Sequence, residues 1–117
     1  MNYKQGEILL LPFPYTDLSS AKKRPALVVS NDGFNATSDD LICCLITTNP
    51  AKDKYSVQIS QTDVEHGELR FESKVKPYRI FTVDKQIVVK KLCVLKAQKF
   101  NKVVSGLHKV TPKFSIF

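Results

Sequence analysis

A chain of 117 residues, 43% apolar and 25% charged, suits one small globular domain and argues against global disorder. No apolar run approaches a membrane span, and the N-terminal MNYKQGEILLLPFPY lacks the long apolar stretch and small-residue cleavage site of a signal peptide. The net charge of +7 is unevenly placed: residues 1–84 hold 10 basic and 11 acidic residues, whereas residues 85–117 hold eight lysines and no Asp or Glu. Such a block favours a polyanionic partner, nucleic acid or an acidic protein segment. A lysine face that serves only solubility is the alternative.

The predicted elements are short and mostly extended. EILLLPF (7–13) is a near-continuous apolar run, followed by the turn-rich TDLSSAKK. PALVVS (25–30) and LICCLIT (41–47) read as strands buried on both faces or nearly so, separated by the polar turn SNDGFNATSDD. After TTNPAKDK, YSVQI (55–59) alternates, with Tyr55, Val57 and Ile59 on one face. VEHGEL reads as a turn. LRFESKV (69–75) alternates again, setting Leu69, Phe71 and Val75 together. YRIFTV (78–83) and IVVKKLCVL (87–95) complete the strands. Pro12, Pro14 and Pro77 are expected near strand ends or edges, where a missing donor is tolerated.

The period changes only at the end of the chain. Ala97, Phe100, Val103, Val104, Leu107 and Val110 share one side of a helical wheel, and Lys99, Lys102 and Lys109 fall on the other. This predicts an amphipathic helix over about 96–109, packed on the sheet. The fold class that follows is mainly β with one terminal helix, a small, strongly bent antiparallel sheet or partly open barrel. There is no repeat, linker or low-complexity tract.

Chemistry-bearing motifs are sparse. The chain has no G-x-S-x-G, no Walker loop, no H-E-x-x-H and no aspartate-rich metal motif. Cys43, Cys44 and Cys93 show no metal-ligand spacing and read as small buried hydrophobes in a reducing cytosol, so neither a metal nor another cofactor is expected. His66 and His108 read as surface residues.

Arg24 stands out among three arginines and fifteen lysines. It closes the triplet Lys22-Lys23-Arg24 and precedes Pro25, which biases it to an extended backbone. The sequence sets it at the entry to a strand, where a guanidinium can fork onto phosphate oxygens. A structural pairing with Asp17 or another carboxylate is the other reading. Thr47 and Thr48 close the strand LICCLI. Their hydroxyls can donate to a phosphate, although threonine is also common at strand ends for β-propensity alone.

Together these segments resemble the MazF/PemK family of toxin endoribonucleases. The likeness is carried by GEILLLPFPYTDLSSAKKRPALVVSND (6–32), LICCLITT (41–48) and VKPYRIFTVDKQIV (75–88), and with the terminal helix spans nearly the whole chain. It implies an SH3-like antiparallel β-barrel with a C-terminal helix, working as a homodimer in the cytoplasm. It implies metal-independent cleavage of single-stranded RNA, with Arg24 and Thr47 catalytic. Ser19, Ser20, Lys22, Lys23 and Thr48 would bind RNA, and the loop from Tyr15 to Lys23 would border its groove. An acidic antitoxin protein would block the site. Arg79 and Phe81 depart from the Q-x-R-T-x-D-like stretch of some members, which bears on the dimer and on substrate preference.

The chemistry that fits begins with the RNA's own 2′-OH attacking the neighbouring phosphorus. Negative charge then builds on the phosphoryl oxygens, where Arg24 can stabilise it and Thr47 can donate a hydrogen bond. Arginine is a poor general base, since its pKa lies above ~12. Two other classes remain: a CcdB-type toxin, similar in fold but binding gyrase, and a non-catalytic RNA-binding barrel.

Overall fold

The computed structural model of the protein describes residues 2–13 and 22–113. Among the described residues, seven strands form one antiparallel sheet: β1 (Glu7–Phe13), β2 (Lys22–Val28), β3 (Asp40–Thr47), β4 (Val57–Ile59), β5 (Val64–Gly67), β6 (Ser73–Asp84) and β7 (Lys90–Leu95). Their order is β4-β6-β3-β2-β1-β7-β5. A short helix α1 (Asp32–Thr37) joins β2 to β3, and α2 (Ala97–Val110) follows β7. The expected curled sheet with a C-terminal helix is the fold observed.

The apolar runs explain why the sheet carries two cores. On β1, β2 and β3 alternate residues face opposite ways. Ile8, Leu27, Cys44 and Ile46 join Val75 and Val103 of α2 in one cluster. Leu9, Leu11, Ala26, Val28, Leu41 and Cys43 form the other with Tyr3 and Val83. The adjacent Cys43 and Cys44 thus serve different cores. All three cysteines are buried and free.

Several boundaries differ from the sequence reading. The strand expected at residue 25 begins at Lys22, so Arg24 lies inside β2 rather than at its entry. Pro25 pairs with Leu10 of β1, while the ladder to β3 starts only at Ala26. The missing proline donor therefore breaks no bond to β3. The expected strands 69–75 and 78–83 are one strand, β6. It stays continuous because its pairing with β3 jumps from Cys44↔Ile80 to Leu45↔Lys76, leaving Pro77, Tyr78 and Arg79 as a bulge. Pro77 is fully buried there, close enough to α2 that a Cβ on Gly106 would lie 3.0 Å from its Cγ.

Phe71 does not join Leu69 and Val75 inside. It precedes β6 and is 69% exposed. The expected turn VEHGEL holds strand β5, which pairs with β7 through His66↔Val94 and Gly67↔Cys93. Gly67 has φ +90, and a Cβ there would lie 2.4 Å from the Leu92 carbonyl oxygen. The expected turn SNDGFNATSDD contains α1, capped by Asn31, whose side chain accepts from the Phe34 N–H at 2.8 Å.

Helix α2 buries Val103 and Gly106 and leans Phe100 on the helix-side core. Ala97, expected on that apolar side, is exposed, and Lys99, expected on the solvent side, is drawn in to pair with Asp63 at 3.6 Å. No helix among the described residues is long and apolar enough to cross a membrane.

Candidate active site at the end of strand β3

Arg24 and Thr47 belong to neighbouring strands. The β2–β3 ladder runs Val28↔Cys43, Leu27↔Cys44, Ala26↔Leu45. The ladder ends there; carried two residues further, its register would bring Arg24 opposite Thr47. By alternation both lie on the face away from α2, continuing the rows Val28, Ala26 and Cys43, Leu45. Both are half-buried. Lys22 and Lys23 are the exposed first residues of β2, opposite Phe13 and Pro12. Ser19 and Ser20, like the loop from Tyr15 to Ala21 and Asp17 within it, lie outside the described residues.

The backbone fixes the role available to Thr47. The Asn49 N–H donates to Thr47 Oγ1 at 3.1 Å, so the hydroxyl spends acceptor capacity within its own turn. Its O–H proton is then left to donate outward. The turn continues: the Ala51 N–H donates to Asn49 Oδ1 at 2.9 Å, and Lys74 Nζ donates to the Ala51 carbonyl. Thr48 is exposed beside Thr47.

Thr47 and Thr48 line a cleft of ≈ 480 Å³ with Asn49, Gln58, Ser60, Thr62, Asp63, Glu72, Lys74 and Lys99. Sequence reasoning missed every member except the two threonines. Lys74 is the Cα partner of Thr47 on one side and of Gln58 on the other. A polar row Gln58–Lys74–Thr47 therefore crosses three strands, whereas Arg24, Lys22 and Lys23 are not among the residues that line the cleft. Asp63 is occupied: it accepts from the Ser60 N–H at 2.9 Å and pairs with Lys99.

Outside the residues that line the cleft, Tyr78 donates its hydroxyl to Asp53, which also accepts from the Tyr55 N–H at 3.0 Å. The Tyr78 bond, then the backbone N–H, hold the Asp53 carboxyl below its usual range. The same bond pushes the Tyr78 phenol up. His66 and His108 are exposed and lie outside this cleft. Among the described residues, no group of three or more His, Cys, Asp or Glu could hold a metal ion.

A family model described as PemK-like, MazF-like toxin of type II toxin–antitoxin system matches residues 4–111. Curated protein sequences give no match. Solved structures do. One is MazE–MazF from Deinococcus radiodurans, 19% identical with TM-score 0.78, covering 95% of this chain and 97% of that one. A second is an endoribonuclease from a mycobacterial species, 17% identical with TM-score 0.77, covering 98% and 97%. A third, 19% identical with TM-score 0.75 and covering 94% and 93%, is a mycobacterial endoribonuclease in complex with its cognate antitoxin. At these identities the likeness is one of fold.

Proposed function

From the chain's membership of the PemK-like, MazF-like toxins of type II toxin–antitoxin systems, we propose that it is an endoribonuclease that cuts single-stranded RNA, mRNA included, at short sequences. What supports this reading is the β2–β3 register, which, carried two residues past its last pair Ala26↔Leu45, would bring Arg24 opposite Thr47, whose hydroxyl keeps a proton to donate.

The mechanism uses the substrate's own nucleophile. The 2′-OH of one nucleotide attacks the adjacent phosphorus in line, the P–O5′ bond breaks, and the proton lost from the 2′-oxygen is balanced by one gained at the 5′-oxygen. The products are a 5′-hydroxyl end and a 2′,3′-cyclic phosphate, or the 3′-phosphate formed from it by water. The Arg24 guanidinium stabilises the charge on the phosphoryl oxygens, and Thr47 adds a neutral donor to the same oxygens. Thr48, Lys22 and Lys23, with Ser19 and Ser20, hold the flanking backbone. The charge stabilisation comes from side chains, so the reaction runs without a metal ion.

The protein works as a homodimer in the cytoplasm. An acidic antitoxin segment covers the 15–24 region and competes with RNA for Arg24. Incubation of the pure protein with a mixed RNA pool in EDTA tests the reading. Cleavage with the stated ends is expected. Strict dependence on added magnesium overturns the mechanism, and no cleavage under any condition returns the chain to a protein-binding toxin.

A further inference from the structure

We propose that Lys74 is a phosphate-binding residue of the RNA groove, seating a phosphate that flanks the scissile one. The inference rests on the endoribonuclease reading and extends it from Arg24 and Thr47 into the cleft beside them.

Three observations carry it. Lys74 is 8% exposed, an unusual fate for a lysine without a carboxylate. Of the cations lining the cleft, Lys99 is paired with Asp63 at 3.6 Å, whereas no carboxylate among the described residues forms an ion pair with Lys74. Finally, an ammonium has three donors, and the Ala51 carbonyl is the acceptor seen for one of them. A polyanion in the cleft would find at Lys74 a positive charge that no carboxylate among the described residues neutralises.

The position also fits. Lys74 is the cross-strand partner of Thr47, so the phosphate it binds adjoins the one under attack. The chain of hydrogen bonds from Lys74 through Ala51 and Asn49 to Thr47 ties the two groups to one turn. Gln58, Ser60 and Thr62, neutral donors and acceptors that also line the cleft, are available to the attached nucleotide. Glu72 at the rim would repel a phosphate displaced from this seat.

The test uses wild-type protein, Lys74→Met and Lys74→Arg, with a cleavable RNA and an uncleavable analogue carrying 2′-deoxyribose at the scissile nucleotide. Lys74→Met is expected to raise KM by about tenfold or more. It should lower the slope of log Kd against log salt by about 0.7, the loss of one single-strand phosphate contact. Lys74→Arg should restore that slope. A single neutral methylphosphonate, at one position other than the scissile one, should weaken wild-type binding and leave Lys74→Met binding unchanged.

Unchanged KM and salt slope in a folded Lys74→Met protein overturn the proposal. So does a fall in kcat alone, which would mark Lys74 as a prop for the Thr47 turn. If the variants do not fold, the ammonium nitrogen resonance of wild-type Lys74 carries the test. It must shift on saturation with the uncleavable oligonucleotide, and an unmoved signal overturns the proposal. Wild-type protein that neither binds nor cuts RNA sinks the endoribonuclease reading itself, a result separable from failure at Lys74 alone.

Discussion

The Asn49 N–H points at Thr47 Oγ1 from 3.1 Å, so one hydrogen bond both closes the turn after β3 and aims the hydroxyl proton away from it. Thr47→Ser keeps the oxygen and should keep most of the activity. Thr47→Ala should lose about tenfold, consistent with one neutral donor to a developing charge. Single-turnover cleavage rates on one RNA separate the two.

Arg24→Ala should fall further, by ~10²–10³ in rate, the usual loss of an oxyanion-type donor. Arg24 is half-buried and sits in a strand paired to β1. Its removal should therefore lower stability by no more than about 1 kcal/mol. Urea titration beside the cleavage assay checks both numbers. A folded Arg24→Ala protein with the wild-type rate refutes the mechanism.

The thiols should be silent in the folded protein. Burial pushes Cys43 up to about 12, with Cys44 beside it adding to the shift. Burial also pushes Cys44 and Cys93 up to about 11. Iodoacetamide at neutral pH should label none of them until urea is added, read by mass. The sign of the linkage is fixed: these groups are raised on folding from 9.0. Their contribution is therefore whole below that value and lost as pH climbs through about 11 to 12. Urea midpoints should decline over that alkaline range, and less steeply in Cys43→Ala.

Gly67→Ala should be costly. Both its φ of +90 and the Leu92 carbonyl 2.4 Å from any Cβ forbid a side chain, so a loss above about 2 kcal/mol is expected. An equal urea midpoint for the variant contradicts this account of the β5–β7 contact.

Much of this was legible beforehand, for physical reasons that differ by element. The runs 7–13 and 41–47 have apolar residues on both faces, and only a strand between two cores needs that pattern. The helix at 97–110 announced itself by period. Strand β5 did not, because an edge strand with exposed Glu65, His66 and Gly67 has no apolar row to read. Pro77 looked like a strand end because a bulge that buries a proline against a glycine of α2 is a long-range event. Arg24 and Thr47 could be named from local pattern and resemblance. Lys74 could not: Lys74 and Lys76 flank Val75 as two solvent-side lysines would, and its partner, the Ala51 carbonyl, lies 23 residues away.

The association with an antitoxin should be rapid and salt-sensitive. The eight lysines after residue 84 steer an acidic segment, and that steering is screened within ~10 Å at 0.1 M salt. Stopped-flow binding across a salt series, with RNA cleavage followed in parallel, measures it. A rate that ignores salt removes the role assigned to the lysine block.

Because β1, β2 and β3 each send alternate side chains into both clusters, neither core can melt while the other persists. The two behave as one cooperative unit, and Thr47 is the last residue of β3, a strand that feeds both clusters. Loss of catalysis on heating should then coincide with global unfolding, without a warmer interval in which a folded but idle enzyme accumulates.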